Sequence, residues 1–402
     1  MQIVVVSPFL DRYHGTELCI IEQVERLSSK HGWGIHLFSQ HVENINGLLT
    51  ETPKSSATGF ICWHKVSEIP GPHLLKFLWW FFANRSARKT TLKHVEDRSL
   101  LVYSPGINCL DANAITVHIV FHEFYARVRD ELTLFKVPVS RWPVTLHRRI
   151  YYKLTMALER RIYANPKVRL AAVSKLVSAQ LEKHFGRTDS VVIPNAVDTG
   201  IFNTEARLAR RSVSRHSLKL HDSDFVVLLI GNDWKIKGLD QLLRALAIIK
   251  IPIRLLVVGK DDPGLYRSAL RQLRLEDHVR FLAPSADVLS FYAAADAYVA
   301  PSLEDAFGLP ILEAMACGLP VIASVQAGAS ENVVDGTTGY LLRDPMNHAE
   351  LADLIRRLAS DKLAAQKIGA AAAQFVKSSV SWDHNVSATR EFLENALASS
   401  QD

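Results

Sequence analysis

Short apolar runs rich in β-branched residues alternate with helical patterns along the chain, and this alternation constrains the fold more than any other sequence feature. In the second half, residues 225–230, 254–258 and 279–282 read as strands, each followed by a helix-like run. The first half has the same rhythm. Its predicted strands are residues 3–7, 35–38, 101–103, 114–120, 170–173 and 191–194, and its clearest predicted helices are 16–29, 144–164 and 175–185. Because apolar strands that alternate with helices form parallel sheets covered on both faces, the sequence predicts a doubly wound α/β fold.

The chain has 402 residues, which is more than one hydrophobic core usually organises. Single cores stop growing at about 250–300 residues, so two domains are expected. A boundary is predicted near Asn195, because a strand ends at Pro194 and a polar, arginine-rich stretch begins at Arg207. The predicted division is a first domain over residues 1–195, a second domain over 196–381 and a carboxy-terminal helical segment over 382–402.

Charge and cysteine content narrow the classes of partner. The net charge of +6 favours anionic partners such as a nucleotide, a phosphorylated glycan or an acidic lipid surface. Nucleic acid is not expected, because no helix-turn-helix, zinc-finger or aromatic RNA-binding pattern accompanies the charge. The four cysteines are scattered and the histidines lack zinc spacing, so neither disulfides nor a metal or other cofactor is predicted. The amino terminus reads as a strand without a basic start, which favours a cytoplasmic protein.

Residues 301–320 contain the strongest signal for a binding site. Asp305 and Glu313 flank a Phe-Gly-Leu-Pro turn, in which Pro310 has the fixed backbone geometry of a first helical residue. The preceding residues 297–300 read as a buried strand. A strand, a loop and a helix in this order place the loop at the carboxyl edge of a parallel sheet, where the first N–H groups of the helix bind anions. The pattern predicts a site for a phosphate with hydroxyl groups beside it.

The same residues resemble a known family. The segment is similar to the pattern Pro-Ser-x-x-Glu-x-Phe-Gly-x-x-x-x-Glu of the retaining family-4 glycosyltransferases, with Asp305 at the first carboxylate. The resemblance implies the GT-B fold, in which two Rossmann-like domains face each other across a cleft. It also implies that Glu313 holds the ribose hydroxyls of a nucleotide, while the first carboxylate lies near the transferred sugar. Asp305 and the neighbouring Glu304 are both candidates for the carboxylate near the transferred sugar. The loop residues that would border the donor are Phe307, Gly308 and Leu309.

By the same resemblance, two further stretches of the second domain border the donor. Residues 231–238 follow a predicted strand, and the family has Gly-Arg-x-x-x-x-Lys-Gly at this point. Lys237 matches the lysine and is expected to bind the diphosphate. Asn232 stands in place of the arginine, and Lys235 is predicted to compensate for the lost cation. Glu331 either borders the donor or caps a helix, and the two interpretations have equal weight.

The first domain offers candidates for both substrates. His14 and Gly15 stand where the family has a Gly-Gly loop, so Gly15 is a donor-binding candidate and His14 an acceptor candidate. His118 matches the family's histidine near the donor sugar. The alternative is a satisfied core histidine, which is commoner on an apolar strand. His122 and Glu123 follow as acceptor candidates. The resemblance further implies that the carboxy-terminal helix returns to the first domain.

An aromatic stretch over residues 74–82, followed by Arg85, Arg88 and Lys89, has the composition of an interfacial membrane segment. It is too short to span a bilayer. The alternative is a buried helix with a basic end, and this interpretation is the one we favour from sequence. A second basic stretch begins at Lys136 and ends at Arg161. It suggests a first domain that faces lipid or phosphorylated glycan, although such residues also form solvated helix faces.

These motifs predict a retaining hexosyltransferase that uses a nucleotide-diphosphate sugar. Its acceptor would be a hydroxyl of a glycan or lipid-linked molecule in the synthesis of a cell-surface polysaccharide or glycolipid. The predicted catalytic residues are His118, Lys237, Asp305 and Glu313. The location would be cytoplasmic, with contact to the anionic inner face of the plasma membrane. Two alternatives stay open, namely a nucleotide-sugar epimerase of the same fold and a non-catalytic protein that binds nucleotide sugars.

Overall fold

The computed structural model describes residues 1–12, 14–51, 59–94, 100–130, 132–136 and 138–401. The strands are β1 (Gln2–Val6), β2 (Phe9–Leu10), β3 (Gly34–Ser39), β4 (His41–Val42), β5 (Leu48–Leu49), β6 (Phe60–Lys65), β7 (Leu101–Pro105), β8 (Ala114–Val117), β9 (Arg169–Ala172), β10 (Val191–Val192), β11 (Phe225–Ile230), β12 (Ile253–Val258), β13 (Val279–Leu282), β14 (Ala297–Ala300), β15 (Val321–Ser324) and β16 (Tyr340–Leu342). The α-helices are α1 (Gly15–His31), α2 (His73–Thr91), α3 (Phe121–Val128), α4 (Trp142–Tyr163), α5 (Lys175–Phe185), α6 (Thr204–Ser217), α7 (Leu239–Ile248), α8 (Arg267–Leu273), α9 (Leu289–Ala294), α10 (Leu309–Ala316), α11 (His348–Ser360), α12 (Lys362–Ser379) and α13 (Trp382–Gln401).

The chain divides into two compact units. The first unit contains Met1–Pro194 together with Trp382–Asp402, and the second unit contains Asn195–Ser381. The carboxy-terminal helix α13 packs on α1 of the first unit. There Asn385 donates from Nδ2 to the carbonyl oxygen of Pro194 at 2.7 Å and accepts a hydrogen bond from Gln23 at 3.0 Å. These buried bonds tie the last helix to the start and the end of the first unit.

The first unit is built on an eight-stranded parallel sheet. Its strand order is β10-β9-β8-β7-β1-β3-β6-β5, and the short β2 and β4 form a separate pair. The central strand β1 is almost wholly apolar, with Ile3 and Val5 in a core that also contains Ile20 and Val24 of α1. A strand buried on both faces needs this continuous apolar run, which explains why the sequence signal for β1 is strong.

The second unit is built on a six-stranded parallel sheet of order β13-β12-β11-β14-β15-β16. Its core packs β11, β12 and β14 against α7 and α11, and it buries Trp234 beyond the end of β11. The strand order reverses direction between β11 and β14. At such a switch point the loops that follow the two strands diverge to opposite faces, and a crevice opens at their carboxyl ends.

The prediction of an α/β protein with two Rossmann-like parallel sheets is confirmed. The strands at 225–230 and 279–282 and the helix at 175–185 have the predicted bounds. The strand predicted over 114–120 ends earlier, at Val117, because α3 begins at Phe121 and the chain turns before it. The arginine-rich stretch after the boundary forms helix α6, in which Arg215 is buried and donates to three backbone carbonyls and Asp296.

The favoured interpretation of residues 74–82 as a buried helix is wrong in one respect. The segment lies in helix α2. The buried residues of this helix are only Trp80, Ala83, Asn84 and Arg88, so within the segment Trp80 alone is buried, and Phe82 is two-thirds exposed. Among the described residues, no helix combines the length and the apolar character that crossing a membrane requires. The side chain of Lys136, named above in the second basic stretch, lies outside the described part of the chain.

Candidate functional site

Two loops of the second unit meet at the switch point of its sheet. Residues 231–238 follow β11 and residues 301–308 follow β14. The N–H of Leu303 donates to the carbonyl oxygen of Ile236 at 2.8 Å. Gly238 has a φ of 80°, and a Cβ there would collide with the carbonyl oxygen of Pro301. Only glycine allows this approach, so the two loops are fixed to each other through their backbones.

Lys237 and Asp305 form an ion pair across these two loops. The Nζ of Lys237 lies 2.5 Å from Oδ2 of Asp305, and both side chains are partly buried. Gly308 has a φ of 88°, and a Cβ at this position would come within 2.9 Å of the same carboxylate oxygen. The structure therefore brings two predicted site residues together. It also gives Gly308 a role, which is to leave room for the Asp305 carboxylate.

The loop that carries Asp305 and Phe307 is held on its other side by the segment after β15. The N–H of Asp305 donates to Gln326 at 3.0 Å, and the N–H of Ala329 donates to Phe307 at 2.6 Å. Ala329 belongs to a short 3₁₀ helix, Gly328–Asn332, which also contains the exposed Glu331. Backbone hydrogen bonds on both sides therefore fix where Asp305 and Phe307 lie.

Glu313 is buried on α10, four residues after the first helical residue, Leu309. Pro310 was predicted as the first helical residue, so the helix begins one residue earlier than predicted. The hydroxyl of Tyr292, a fully buried residue of α9, donates to Oε2 of Glu313 at 2.6 Å. Burial raises the pKa of Glu313 to about 7, and the hydrogen bond from Tyr292 opposes that rise.

Tyr292 is a site residue that sequence reasoning missed. A tyrosine inside an apolar helix reads as core, and its ring does pack against Phe202 and Tyr298. The available signal is general: a buried tyrosine hydroxyl nearly always has a hydrogen-bond partner, and Glu313 is one helix away. Its hydrogen bond fixes one carboxylate oxygen of Glu313 in place.

The side chain of Asn232 makes a hydrogen bond to the backbone of a neighbouring loop. Its Oδ1 accepts the N–H of Lys260 at 3.0 Å, which joins the loop after β11 to the loop after β12. In the same place Asp261 accepts the N–H groups of Asp233 and Trp234, at 3.1 and 2.7 Å. Lys235 is exposed on this loop. Asn232 and Asp261 shape the backbone that presents Lys237.

In the first unit, His118 lies one residue beyond the end of β8. Its Nε2 atom is buried and makes no hydrogen bond with any described group. Burial lowers the pKa of His118 to about 4, so its ring is neutral at pH 7. The alternative of a satisfied core histidine is therefore wrong for this nitrogen. A buried nitrogen without a partner is costly, and a ligand atom would satisfy it.

His122 and Glu123 belong to a network of side chains that joins α3 to α4 and α5. Nδ1 of His122 lies 2.6 Å from Oε2 of Glu159, a residue of α4 whose side chain is fully buried. Glu159 also accepts the N–H groups of Phe121 and His122 at 2.6 and 3.1 Å, so its carboxylate caps the start of α3. Burial lowers the pKa of His122 to about 4. Sequence reasoning missed Glu159, because nothing local connects it with His122.

Glu123 is held by two residues of α5. Its Oε1 accepts hydrogen bonds from Lys183 and lies 2.8 Å from Nε2 of His184. These bonds lower the pKa of Glu123 although burial opposes them, so it carries a negative charge at pH 7. Both acceptor candidates on α3 are therefore oriented by partners from α4 and α5.

His14 and Gly15 begin helix α1. Nδ1 of His14 lies 2.8 Å from Oδ2 of Asp11, and the N–H of His14 donates to the other oxygen at 3.0 Å. A Cβ at Gly15 would meet no atom within 4 Å. Packing therefore does not require glycine at this position, and the space above it is open. In the described residues, no group of three or more His, Cys, Asp or Glu side chains is arranged to hold a metal ion.

Comparison with known proteins gives one family match. Residues 211–375 match the family model for glycosyl transferases group 1. This range contains Lys237, Asp305, Glu313 and the loops that hold them.

Two curated relatives match about half of this chain. One is the lipopolysaccharide glucosyltransferase WaaG of Escherichia coli (strain K12), which is 25% identical over 213 residues, 51% of this chain and 57% of WaaG. The other is the D-inositol 3-phosphate glycosyltransferase of Mycolicibacterium smegmatis, 33% identical over 218 residues, 52% of this chain and 48% of the relative. The chain thus spans about half the length of the curated relatives it matches.

Solved structures match nearly the whole chain. The crystal structure of WaaG superimposes with a TM-score of 0.73 at 18% identity and covers 96% of this chain and 98% of its own. Anabaena Alr3699/HepE, crystallised in complex with UDP-glucose, superimposes with a TM-score of 0.70 at 20% identity over 98% of this chain and 100% of its own. At these identities the likeness concerns the fold. The chain therefore has the GT-B fold, and its residues 211–375 match the model of the glycosyl transferases group 1 family.

Proposed function

We propose that the chain is a retaining glycosyltransferase that moves a hexose from a nucleotide-diphosphate sugar to a hydroxyl of a glycan or lipid-linked acceptor. The observation that carries the proposal is the Lys237–Asp305 ion pair at the switch point of the second sheet, together with the buried Glu313 on the helix that follows the Asp305 loop. Two comparisons support it. The family match contains all three residues, and HepE, a protein of the same fold, was crystallised with UDP-glucose.

In this proposal, the nucleotide lies against α10. Glu313 accepts hydrogen bonds from the ribose hydroxyls through the oxygen that Tyr292 does not use, Oε1. The diphosphate lies at the amino terminus of α10, where the first N–H groups of the helix favour a negative charge. Lys237 is the nearby cation. When the donor binds, its ammonium turns from Asp305 toward the diphosphate or bridges the two.

Bond breaking is assigned to electrostatic stabilisation. The bond between the anomeric carbon and the phosphate oxygen breaks, and its electron pair moves to the diphosphate. The acceptor oxygen forms the new bond on the same face, and its proton passes to the departing phosphate oxygen. Lys237 and the helix N–H groups stabilise the charge that develops on the leaving group. Asp305 is assigned to the sugar, where its carboxylate offsets positive charge at the anomeric carbon.

The first unit is assigned to the acceptor and the sugar. His118 offers a buried Nε2 without a partner, which suits a hydrogen bond to the transferred sugar or its phosphate. His122 and Glu123 are oriented side chains for acceptor hydroxyls, and His14 and Gly15 border open space. We place the reaction in the synthesis of a cell-surface polysaccharide or glycolipid, at the cytoplasmic face of an anionic membrane. The involvement of WaaG in lipopolysaccharide biosynthesis supports this choice.

A thermal-shift panel of UDP-, GDP- and ADP-sugars tests the proposal on wild type, on Glu313→Gln and on the exposed control Glu391→Ala. One nucleotide series is expected to raise the melting temperature of wild type and the control, and to lose its effect in Glu313→Gln. If no nucleotide sugar shifts wild type, the proposed function is wrong.

A second assay separates the enzyme classes. Without an acceptor, an epimerase converts the donor, a transferase hydrolyses it slowly at most, and a binding protein does neither. With an acceptor, NMR of the product reports whether the anomeric configuration of the donor is retained. Inversion would contradict the retaining mechanism while leaving the transferase assignment in place.

A further inference from the structure

Helix α2 has an exposed apolar stripe that continues into basic residues. Leu75, Leu78 and Phe82 are 53%, 48% and 66% exposed, and their spacing of three and four residues places them on one side of the helix. Arg85 and Lys89 continue the same spacing and are exposed as well. The stripe therefore runs from apolar to basic along the helix axis.

Helix α4 repeats this arrangement. Trp142, Leu146 and Ile150 are 37%, 49% and 45% exposed at a spacing of four residues. Lys153 and Arg160 follow on the same side and are exposed. Just before the helix, Phe135 and Val139 are more exposed still. A large aromatic side chain open to water in this way is unfavourable unless something covers it.

The two helices lie beside each other. The ring of Tyr151 on α4 contacts His73 and Phe77 of α2, with centroids 4.9 and 5.2 Å apart. We call the exposed stripes of α2 and α4 the apolar–basic surface. Soluble proteins seldom expose several large apolar side chains on neighbouring helices without a partner.

The charge of the surface identifies the kind of partner. Helix α2 contains no acidic residue, and the only acidic residue of α4 is Glu159, whose side chain is fully buried. Two neighbouring helices thus present cations and apolar groups with no exposed carboxylate of their own. An interfacial helix has this composition, because its apolar side chains enter the headgroup boundary while Lys and Arg reach the lipid phosphates.

We propose that the apolar–basic surface docks the first unit on an anionic lipid bilayer. The apolar residues at the start of each stripe insert at the headgroup boundary, and the basic residues that follow bind lipid phosphate. The purpose of the docking rests on the proposed function: it brings the enzyme to a lipid-linked acceptor. The docking itself depends only on the exposed side chains of α2 and α4.

Vesicle co-sedimentation of the full chain tests the docking. The probes are vesicles of phosphatidylcholine alone and of phosphatidylcholine with phosphatidylglycerol, at low and high salt. We expect binding to the anionic vesicles only, weakened by salt because screening shortens the reach of the charges. The triple variant Arg85→Glu, Lys89→Glu, Lys153→Glu should weaken binding about 100-fold, at about fivefold for each cation.

Each apolar stripe is tested separately. Phe82→Ser with Leu78→Ser alters α2, and Leu146→Ser with Ile150→Ser alters α4. Each pair should weaken binding roughly tenfold or more, since it removes two side chains from the headgroup boundary. The matched apolar control is Val213→Ser with Leu363→Ser, 73% and 72% exposed in the second unit. The matched charge control replaces three exposed lysines of α12 by glutamate: Lys362, Lys367 and Lys377.

Three outcomes overturn the proposal. The first is no binding to anionic vesicles, and the second is an equal loss of binding in the variants and their controls. The third is a dimer, seen in sedimentation velocity and abolished by the apolar variants, in a protein that does not bind vesicles. The nucleotide-sugar thermal shift separates this failure from that of the proposed function. A shift without vesicle binding refutes the docking alone, and vesicle binding without any shift refutes the proposed function alone.

Discussion

The two units hold their candidate site residues by different means. In the second unit the loops after β11 and β14 are fixed by backbone contacts, through Gly238 against Pro301 and the bond from Leu303 to Ile236. In the first unit the side chains of other helices fix both candidates: Glu159 of α4 holds His122, while Lys183 and His184 of α5 hold Glu123. A backbone-held site leaves a local sequence pattern, whereas a site held by distant side chains does not. The comparison explains why one region could be read from sequence more fully than the other.

The largest expected effect concerns the two lysines of the loop after β11. Lys237→Met should lower kcat about 100- to 1000-fold, because it removes the cation assigned to the leaving diphosphate. Lys235→Met is the matched control, and its exposed side chain should cost far less. Steady-state kinetics with the donor identified by thermal shift measure both. Equal losses in the two variants would mean that the ion pair with Asp305 does not mark the functional lysine.

A glycine pair contrasts the packing of the two units. Gly238→Ala should reduce the free energy of unfolding by about 1–3 kcal/mol, because its positive φ and the carbonyl of Pro301 both exclude a Cβ. Gly15→Ala should leave stability within about 0.5 kcal/mol, since nothing lies near its Cβ. Chemical denaturation measures both changes. If Gly15→Ala nevertheless lowers donor affinity, the open space above it is a ligand site; unchanged affinity would remove Gly15 from the candidates.

The side-chain network of the first unit is tested by Glu159→Gln. The amide replaces one of the two acceptor oxygens by an NH2 group, which faces an N–H donor at the start of α3. The variant should therefore lose about 1–3 kcal/mol of folding free energy. The chemical shifts of His122 should also change, because its Nδ1 bonds this carboxylate. The exposed Glu182→Gln on α5 serves as the control. A stability equal to that of the control would show that Glu159 does not hold the network.

The smallest effect is a pH dependence that comes from Glu313. Its pKa of about 7 in the fold lies above the ordinary value of 4.5. Between these values the unfolded chain has lost the proton that the folded protein keeps, so Glu313 makes stability fall as pH rises from about 4.5 to about 7. Glu313→Gln should remove this fall in stability with rising pH. Tyr292→Phe should make the fall continue to higher pH, because the hydrogen bond that lowers the pKa of Glu313 is gone. Denaturation curves at several pH values measure the slope, and an unchanged slope in both variants would contradict the buried Glu313–Tyr292 pair.

The sequence was sufficient for the fold class and for most strand positions. The apolar runs of β11 and β12 are buried almost throughout, so they carry a strong signal, and the structure matches them closely. The apolar residues of α2 were harder to interpret. Their composition suits a buried helix as well as an interfacial one, and only the packing of Trp80 inward leaves Phe82 exposed.

The site divides in the same way. The spacing of Asp305 and Glu313 around a turn was visible in the sequence, and the functional roles given to these residues stay predictions. The partners of the site residues were not visible. Tyr292 is 21 residues from Glu313, and Glu159 is 37 residues from His122.

The sequence by itself determined two parallel sheets and a Phe-Gly-Leu-Pro turn between a strand and a helix, because these follow from local apolar periodicity and from the fixed geometry of proline and glycine. Only the tertiary structure decided that Lys237 faces Asp305, that Tyr292 and Glu159 orient their partners, and that α2 and α4 expose their apolar stripes. The physical reason is that each of these depends on how separate helices and loops pack, and the folded chain brings together side chains whose separation in sequence carries no signal.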